Sequence, residues 1–230
     1  MFYGLGFDPT YILLLPAIIL AGYAQSKVSS TFNKYLRVRN SYGFTGYDVA
    51  RRLLDTNGLH NVPIESVGGR LSDHYDPGKR VLRLSQDVYN GSSLASVGVA
   101  AHECGHAIQH SEGYAPLAVR NLIAPVASFG SQASWIFIIA GFIFSWGSLI
   151  DIGILLFSLA VVFQVITLPV EFNASSRAIA LLEGNGLVPS DEIGPAREVL
   201  RAAALTYVAA AFTAIMQLVR LLVLRGRHDD

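Results

Sequence analysis

Apolar residues fall into four long blocks. The first runs from Pro9 to Ala24 without a charge, the second from Leu122 to Trp146, the third from Leu149 to Pro169, and the fourth from Ala202 to Leu224, with Arg220 near its end. A bilayer core of about 30 Å takes about 20 helical residues, so the last three blocks are long enough to cross it. The first is shorter, and the uncharged lead-in Met1–Phe7 extends it. A cleaved signal peptide needs basic residues ahead of its apolar core, and none precedes Tyr11, so this block is expected to be a retained anchor. Only Gly147 and Ser148 separate the second and third blocks, which makes them a hairpin with Asp151, expected to be solvated, near its tip.

Between the first two blocks the pattern changes. Thr45–Leu54 has the start signal and apolar spacing of a helix, stopped by Asn57-Gly58. Val62–Val67 alternates as a strand does, and so does Arg80–Ser85. Gly68-Gly69 and Asp76-Pro77-Gly78 mark turns around Leu71–Tyr75. Ser92 or Ser93 caps a further helix that passes through Leu94, Val97 and Ala101 to Gln109 and ends near Gly113. A helix is also expected to start behind Pro169, at Glu171, and to run to Leu182 before Gly184. The fold expected is therefore an α-helical integral membrane protein with about four transmembrane helices and a small α+β region. Its plan is an anchor at 1–24, an α+β catalytic region at 25–121, a membrane hairpin at 122–170, a helix and loop at 171–201, and a last span with its tail at 202–230.

Composition agrees. Hydrophobic residues make up 52% and charged residues 15% of the chain, against about 25% charged in soluble domains. The net charge of zero offers nucleic acid no electrostatic footprint. A single cysteine, Cys104, excludes an intrachain disulfide. Lys27, Lys34, Arg37 and Arg39 follow the first block, and Arg177, Arg197 and Arg201 lie between the third and fourth. The positive-inside rule then turns both polar regions toward the cytoplasm of a cell membrane, in a multi-pass arrangement. Arg225 and Arg227 run mildly against that assignment.

The chemistry concentrates at His102-Glu103-Cys104-Gly105-His106, an H-E-x-x-H pattern on the helix that ends near Gly113. Residues four apart on a helix share a face, so two imidazoles there can hold one ion together. Zn2+ suits nitrogen ligands at about 2.0–2.1 Å. Glu103 then lies where it can take a proton from a zinc-activated water and return it to a leaving amine. A catalytic zinc needs a third protein ligand. Glu171 is the best candidate, because the hairpin brings it back to the membrane face that carries His106; the competing reading is an acidic residue at a helix start. Cys104 is expected to be a small buried residue and His110 a surface histidine. His74 and Tyr75 are candidates for stabilising an oxyanion, Arg177 for binding a carboxylate or orienting Glu171, and strand Arg80–Ser85 for the edge that receives an extended substrate.

These residues resemble the YugP-type neutral zinc metallopeptidases, small bacterial membrane proteins. The resemblance covers nearly the whole chain. It includes Asp73-His74-Tyr75-Asp76-Pro77, Val81–Ser85, Gly98-Val99-Ala100-Ala101, Ile108-Gln109-His110, Pro169–Ala178 and Ala202–Ala210. It implies peptide-bond hydrolysis with a zinc cofactor on a peptide or protein substrate, and it strengthens Glu171 as third ligand beside His102 and His106. More distantly the plan is similar to HtpX-like and CAAX-prenyl membrane peptidases. There an aspartate four residues after the ligand glutamate supports a zinc-binding histidine, whereas this chain has Ser175. Asn173, Ser175 or a backbone carbonyl are the substitutes expected for that role.

Two other readings compete. One is a catalytically silent membrane scaffold, supported by Ser175 in place of the aspartate. The other is an intramembrane protease whose metal motif lies inside a span, a reading that Asp151 as third ligand would favour. The helix around His102 is too polar and too short for that.

Overall fold

The structure is a computed structural model that describes residues 8–229. Among these residues seven α-helices and three short strands follow in the order α1 (Leu15–Leu36), α2 (Gly46–Thr56), β1 (Ile64–Val67), β2 (His74–Asp76), β3 (Val81–Ser85), α3 (Gln86–Tyr89), α4 (Leu94–Ser111), α5 (Ala115–Ile143), α6 (Gly147–Gly184) and α7 (Ile193–Asp229). Among the described residues four helical segments are long and apolar enough to cross a membrane: Pro9–Leu36, Ala115–Ile143, Gly147–Gly184 and Ile193–Arg227. The chain is thus a helical membrane protein with a small α+β region. The lead-in 1–7 lies outside the described residues.

The chain divides into two compact units, one comprising residues 24–118 and 168–206. Its three-stranded sheet has the order β1-β3-β2, with β1 parallel and β2 antiparallel to β3. The central β3 is almost wholly buried, with Leu82 and Leu84 in the core, and both of its edges are already paired. The expectation that Arg80–Ser85 offers a free edge to substrate is therefore wrong. Non-local pairing decides which strand is central, and alternation within one strand does not report it. β2 holds an outer position instead. Helix α2 starts at a capping box in which Thr45 and Asp48 exchange side-chain and backbone hydrogen bonds, which satisfies two orphan donors of the first turn. It buries Val49, Ala50, Leu53 and Leu54 in the same core as Leu82, Leu84, Val97 and Ala101.

The other described unit comprises residues 8–23, 119–167 and 207–229. Asp8 caps a 3-10 turn at Pro9–Leu14 by accepting the Thr10 N–H. Arg220, mostly buried, donates to Thr10 Oγ1 at 3.0 Å and pairs with Asp8 at 2.8 Å, so its charge is compensated. Gly141 and Gly153 let α5 and α6 pass closely: a Cβ on Gly153 would stand 2.9 Å from the Ser134 carbonyl oxygen. Small residues at such crossings let helices pack where no water drives them together. Asp151, expected to be solvated, instead pairs with Arg225 at 2.7 Å, although it stays half exposed.

Helix α6 corrects a second expectation. It runs unbroken through Pro169, so Glu171 does not begin a new helix. At 38 residues it is about 57 Å long, nearly twice a bilayer core of about 30 Å. A proline removes one backbone donor, but in a long membrane helix neighbouring groups take up the freed carbonyl. Glu171 consequently lies within the helix that also carries the third apolar block.

Candidate metal centre

Helix α4 carries the first half of the centre. Ser93 caps it by accepting the Ser96 N–H at 3.0 Å, and the helix is buried from Leu94 to Gln109 except at Val99. It is not among the candidate membrane spans of the described residues. Asp151, which as third ligand would have favoured the intramembrane-motif reading, pairs with Arg225 instead.

His102 and His106 stand edge to face with ring centroids 4.8 Å apart. Both turn Nε2 toward one oxygen of Glu171. His102 Nε2 is 3.3 Å and His106 Nε2 3.5 Å from Glu171 Oε2. A tetrahedral ion with ligands at about 2.0–2.1 Å separates them by roughly 3.3–3.4 Å, so both His–Glu separations suit zinc. All three are nearly buried, and their ligand atoms lie within 4.8 Å of one another. The electrostatics agree. Burial disfavours an imidazolium on His106, yet hydrogen bonding to Glu171 and the charges of Glu103 and Glu171 outweigh it and raise the pKa. This cradle attracts positive charge.

Glu171 reaches the two histidines because Gly105 lacks a side chain. A Cβ there would lie 2.8 Å from the backbone oxygen of Ala174. The glycine inside the motif is thus the place where α6 passes against α4.

The outer nitrogens of the two imidazoles are also held. Ser175 Oγ lies 3.2 Å from His102 Nδ1. His106 Nδ1 meets Gln109 Oε1 at 3.0 Å. Gln109 donates through Nε2 to the Val170 carbonyl and to Asn173 Oδ1, each at 2.9 Å. With the amide nitrogen committed to those acceptors, Oε1 must accept from His106 Nδ1–H. In a neutral imidazole that tautomer keeps the proton on Nδ1 and makes Nε2 the nitrogen that can ligate an ion. Asn173 therefore acts one step further out, on Gln109, and also accepts from Arg177 Nε at 2.8 Å. Arg177 also pairs with the Glu112 carboxylate at 2.7 Å.

Glu103 is buried, and Oε2 accepts the backbone N–H of Tyr75 at 3.0 Å. Burial raises its pKa and outweighs the opposing charges of His102 and His106. The proton affinity of this carboxylate is therefore that of a better base than an exposed glutamate.

His74 does not join the centre. It is exposed, with Nδ1 2.8 Å from the Ser72 carbonyl and Nε2 3.4 Å from Arg83. His110 is half buried, with Nδ1 2.9 Å from the Tyr75 hydroxyl. Cys104 is fully buried, and burial pushes its thiol pKa up, which leaves it inert. Sequence reasoning missed the Gln109 bridge and the packing role of Gly105. The available signal for Gln109 was a polar residue three positions after His106, on the same helix face.

A multi-pass helical membrane protein with a His–His–Glu cluster that could hold a metal ion in a small α+β unit is the class these features define. Residues 10–226 match the family described as "Putative neutral zinc metallopeptidase", and the chain belongs to that family. It is 48% identical over 220 residues to the "Putative membrane protease YugP" of Bacillus subtilis (strain 168), covering 95% of this chain and 98% of that protein. No solved structure matches the chain.

Proposed function

We propose that this chain is a membrane-embedded zinc endopeptidase that hydrolyses peptide bonds of membrane-associated proteins. The observation that carries the reading is the convergence of His102, His106 and Glu171 beside a buried carboxylate. His102 and His106 would hold the ion through Nε2 and Glu171 through a carboxylate oxygen. When bound, zinc supplies Lewis acidity, which acidifies a water and polarises a substrate carbonyl. Glu103 takes the proton that the water loses on attacking the carbonyl carbon, then delivers it to the departing amine. The Tyr75 N–H steadies Glu103 in that position, while Ser175 and Gln109 keep the two imidazoles turned inward.

The silent-scaffold reading rested on the missing aspartate, and Ser175 at His102 Nδ1 weakens that ground. The distribution of Lys and Arg supports a bacterial inner-membrane location with the α+β region toward the cytoplasm. Asp151 beside Arg225 softens the one contrary signal, because the tail charge is compensated.

Two variants test the function. Glu103→Gln is expected to retain about one zinc per chain and lose about 10²–10⁴-fold in peptide turnover. Glu171→Ala is expected to lose the metal, read by plasma mass spectrometry on detergent-purified protein. Full turnover by Glu103→Gln would remove the general-base role, and full zinc in Glu171→Ala would require another third ligand.

A further inference from the structure

One turn beyond Glu103, α4 borders a cleft of about 350 Å3 within the same unit. Its walls include Ala107 and His110 of α4, Tyr75 of β2, Leu59 and Val62 of the α2–β1 connection, and Arg80 of the β2–β3 turn. That volume falls in the range of ligand sites. The walls are braced. Arg51 donates to the carbonyls of Leu59 at 2.9 Å and Val62 at 2.8 Å, and also bonds Asp55. On another side Asp76 accepts the N–H groups of Gly78 and Lys79, each at 3.0 Å, which shapes the turn leading to Arg80.

The polar lining has one sign. Among the described residues no Asp or Glu lines the cleft, and no carboxylate pairs with Arg80. Arg80 is exposed and held at φ 51°, a left-handed conformation uncommon for a residue with a side chain. Around it the cleft offers the Tyr75 hydroxyl, the His110 imidazole, and the polar side chains of Asn61 and Ser111. A guanidinium surrounded by neutral hydrogen-bonding groups complements an anionic, planar acceptor, which in a polypeptide is a carboxylate.

Tyr75 links this cleft to the reaction centre. Its backbone N–H binds Glu103 while its side chain lines the cleft and meets His110. Ala107 and His110 follow Glu103 by four and seven residues, about 6 and 10 Å along the helix axis. An extended peptide advances about 3.3 Å per residue. An occupant of the cleft therefore lies roughly two or three residues from a bond beside Glu103.

We propose that this cleft is a substrate subsite for a carboxylate, carried by an acidic side chain or by the substrate's own C-terminus, with Arg80 as its charged partner. The inference rests on the metallopeptidase reading of the neighbouring centre and adds a substrate preference to it.

The test uses zinc-loaded, full-length Glu103→Gln protein in detergent, in which bound peptide is not turned over. Fluorescence anisotropy gives Kd for two peptide pairs. One pair exchanges Glu for Gln two or three residues from a central bond, and the other exchanges a free C-terminus for its amide. The carboxylate member of at least one pair is expected to bind about tenfold more tightly. Adding Arg80→Gln abolishes that advantage, Arg80→Lys keeps part of it, and Arg80→Glu reverses it in favour of a Lys-containing peptide. Which pair responds identifies the source of the carboxylate. Equal affinity within both pairs, including no binding at all, or a preference that survives Arg80→Glu, overturns the proposal. Binding is read without hydrolysis, so wild-type protein that cleaves nothing counts against the metallopeptidase reading and leaves the subsite result intact.

Discussion

Replacing Gly105 with Ala separates the stability of this fold from the geometry of its centre. The new Cβ would stand 2.8 Å from the Ala174 oxygen and 3.3 Å from that residue's carbonyl carbon and Cα, where ordinary contacts begin near 3.4 Å. All three atoms are backbone, so no side chain can swing away, and α4 and α6 must separate by about 0.6 Å at that point. Ala174 lies between Glu171 and Ser175 on one helix, so the shift reaches both partners of the histidines. Metal sites hold ligand distances to within about 0.2 Å, which makes that displacement large for zinc. The effect on stability is smaller. Alanine gains about 1 kcal/mol of helix propensity over glycine, and overpacking costs about 1–3 kcal/mol. The variant should therefore fold, with a net loss of no more than about 2 kcal/mol, while zinc affinity falls at least about tenfold. Gly98→Ala is the matched control on the same helix, since its Cβ would meet Ala196 atoms no closer than 3.6 Å. It should be neutral or slightly stabilising, with zinc affinity unchanged. Competition against a chromophoric chelator, with thermal unfolding alongside, reads both quantities. Wild-type zinc affinity in Gly105→Ala would refute the claim that this close approach sets the ligand geometry.

Gln109→Ala leaves His106 Nδ1–H, the Val170 carbonyl and Asn173 without their shared partner. It should lower zinc affinity about 10–100-fold and stability by about 1–3 kcal/mol; zinc binding as tight as in wild type would end its orienting role. The pH dependence of kcat/KM follows from Glu103, which must be ionised to accept a proton. Because burial raises its pKa, activity should be lost as pH falls through a value above the usual carboxylate range. An acid limb at or below the ordinary glutamate value of 4.5 would contradict that environment.

Much of the centre was legible because helix physics is local. Ser93, the apolar spacing after it and the four-residue interval between His102 and His106 all act within α4, and each appears where the sequence pattern put it. Glu171 was harder to locate, since it lies 69 residues from His102 and was expected at the head of a separate helix. Pro169 gave a local stop signal that the longer helix overrode. The outer contacts were less legible still. Asn173 and Ser175 were both candidates for holding a histidine, but only Ser175 touches one, because Gln109 from α4 stands between Asn173 and His106. Arg80–Ser85 shows the same limit in a sheet: alternation marked the strand, yet burial on both edges depends on two partners elsewhere in the chain.

The sequence by itself determined the four apolar segments, the capped helix α4, and the pair of imidazoles on one of its faces. These rest on composition and on periodicities that span only a few residues. The tertiary structure decided where Glu171 stands relative to those imidazoles, which group holds each outer nitrogen, and which strand occupies the middle of the sheet. Each of these depends on how closely two distant segments approach. At the centre, the absence of a side chain at Gly105 permits that approach.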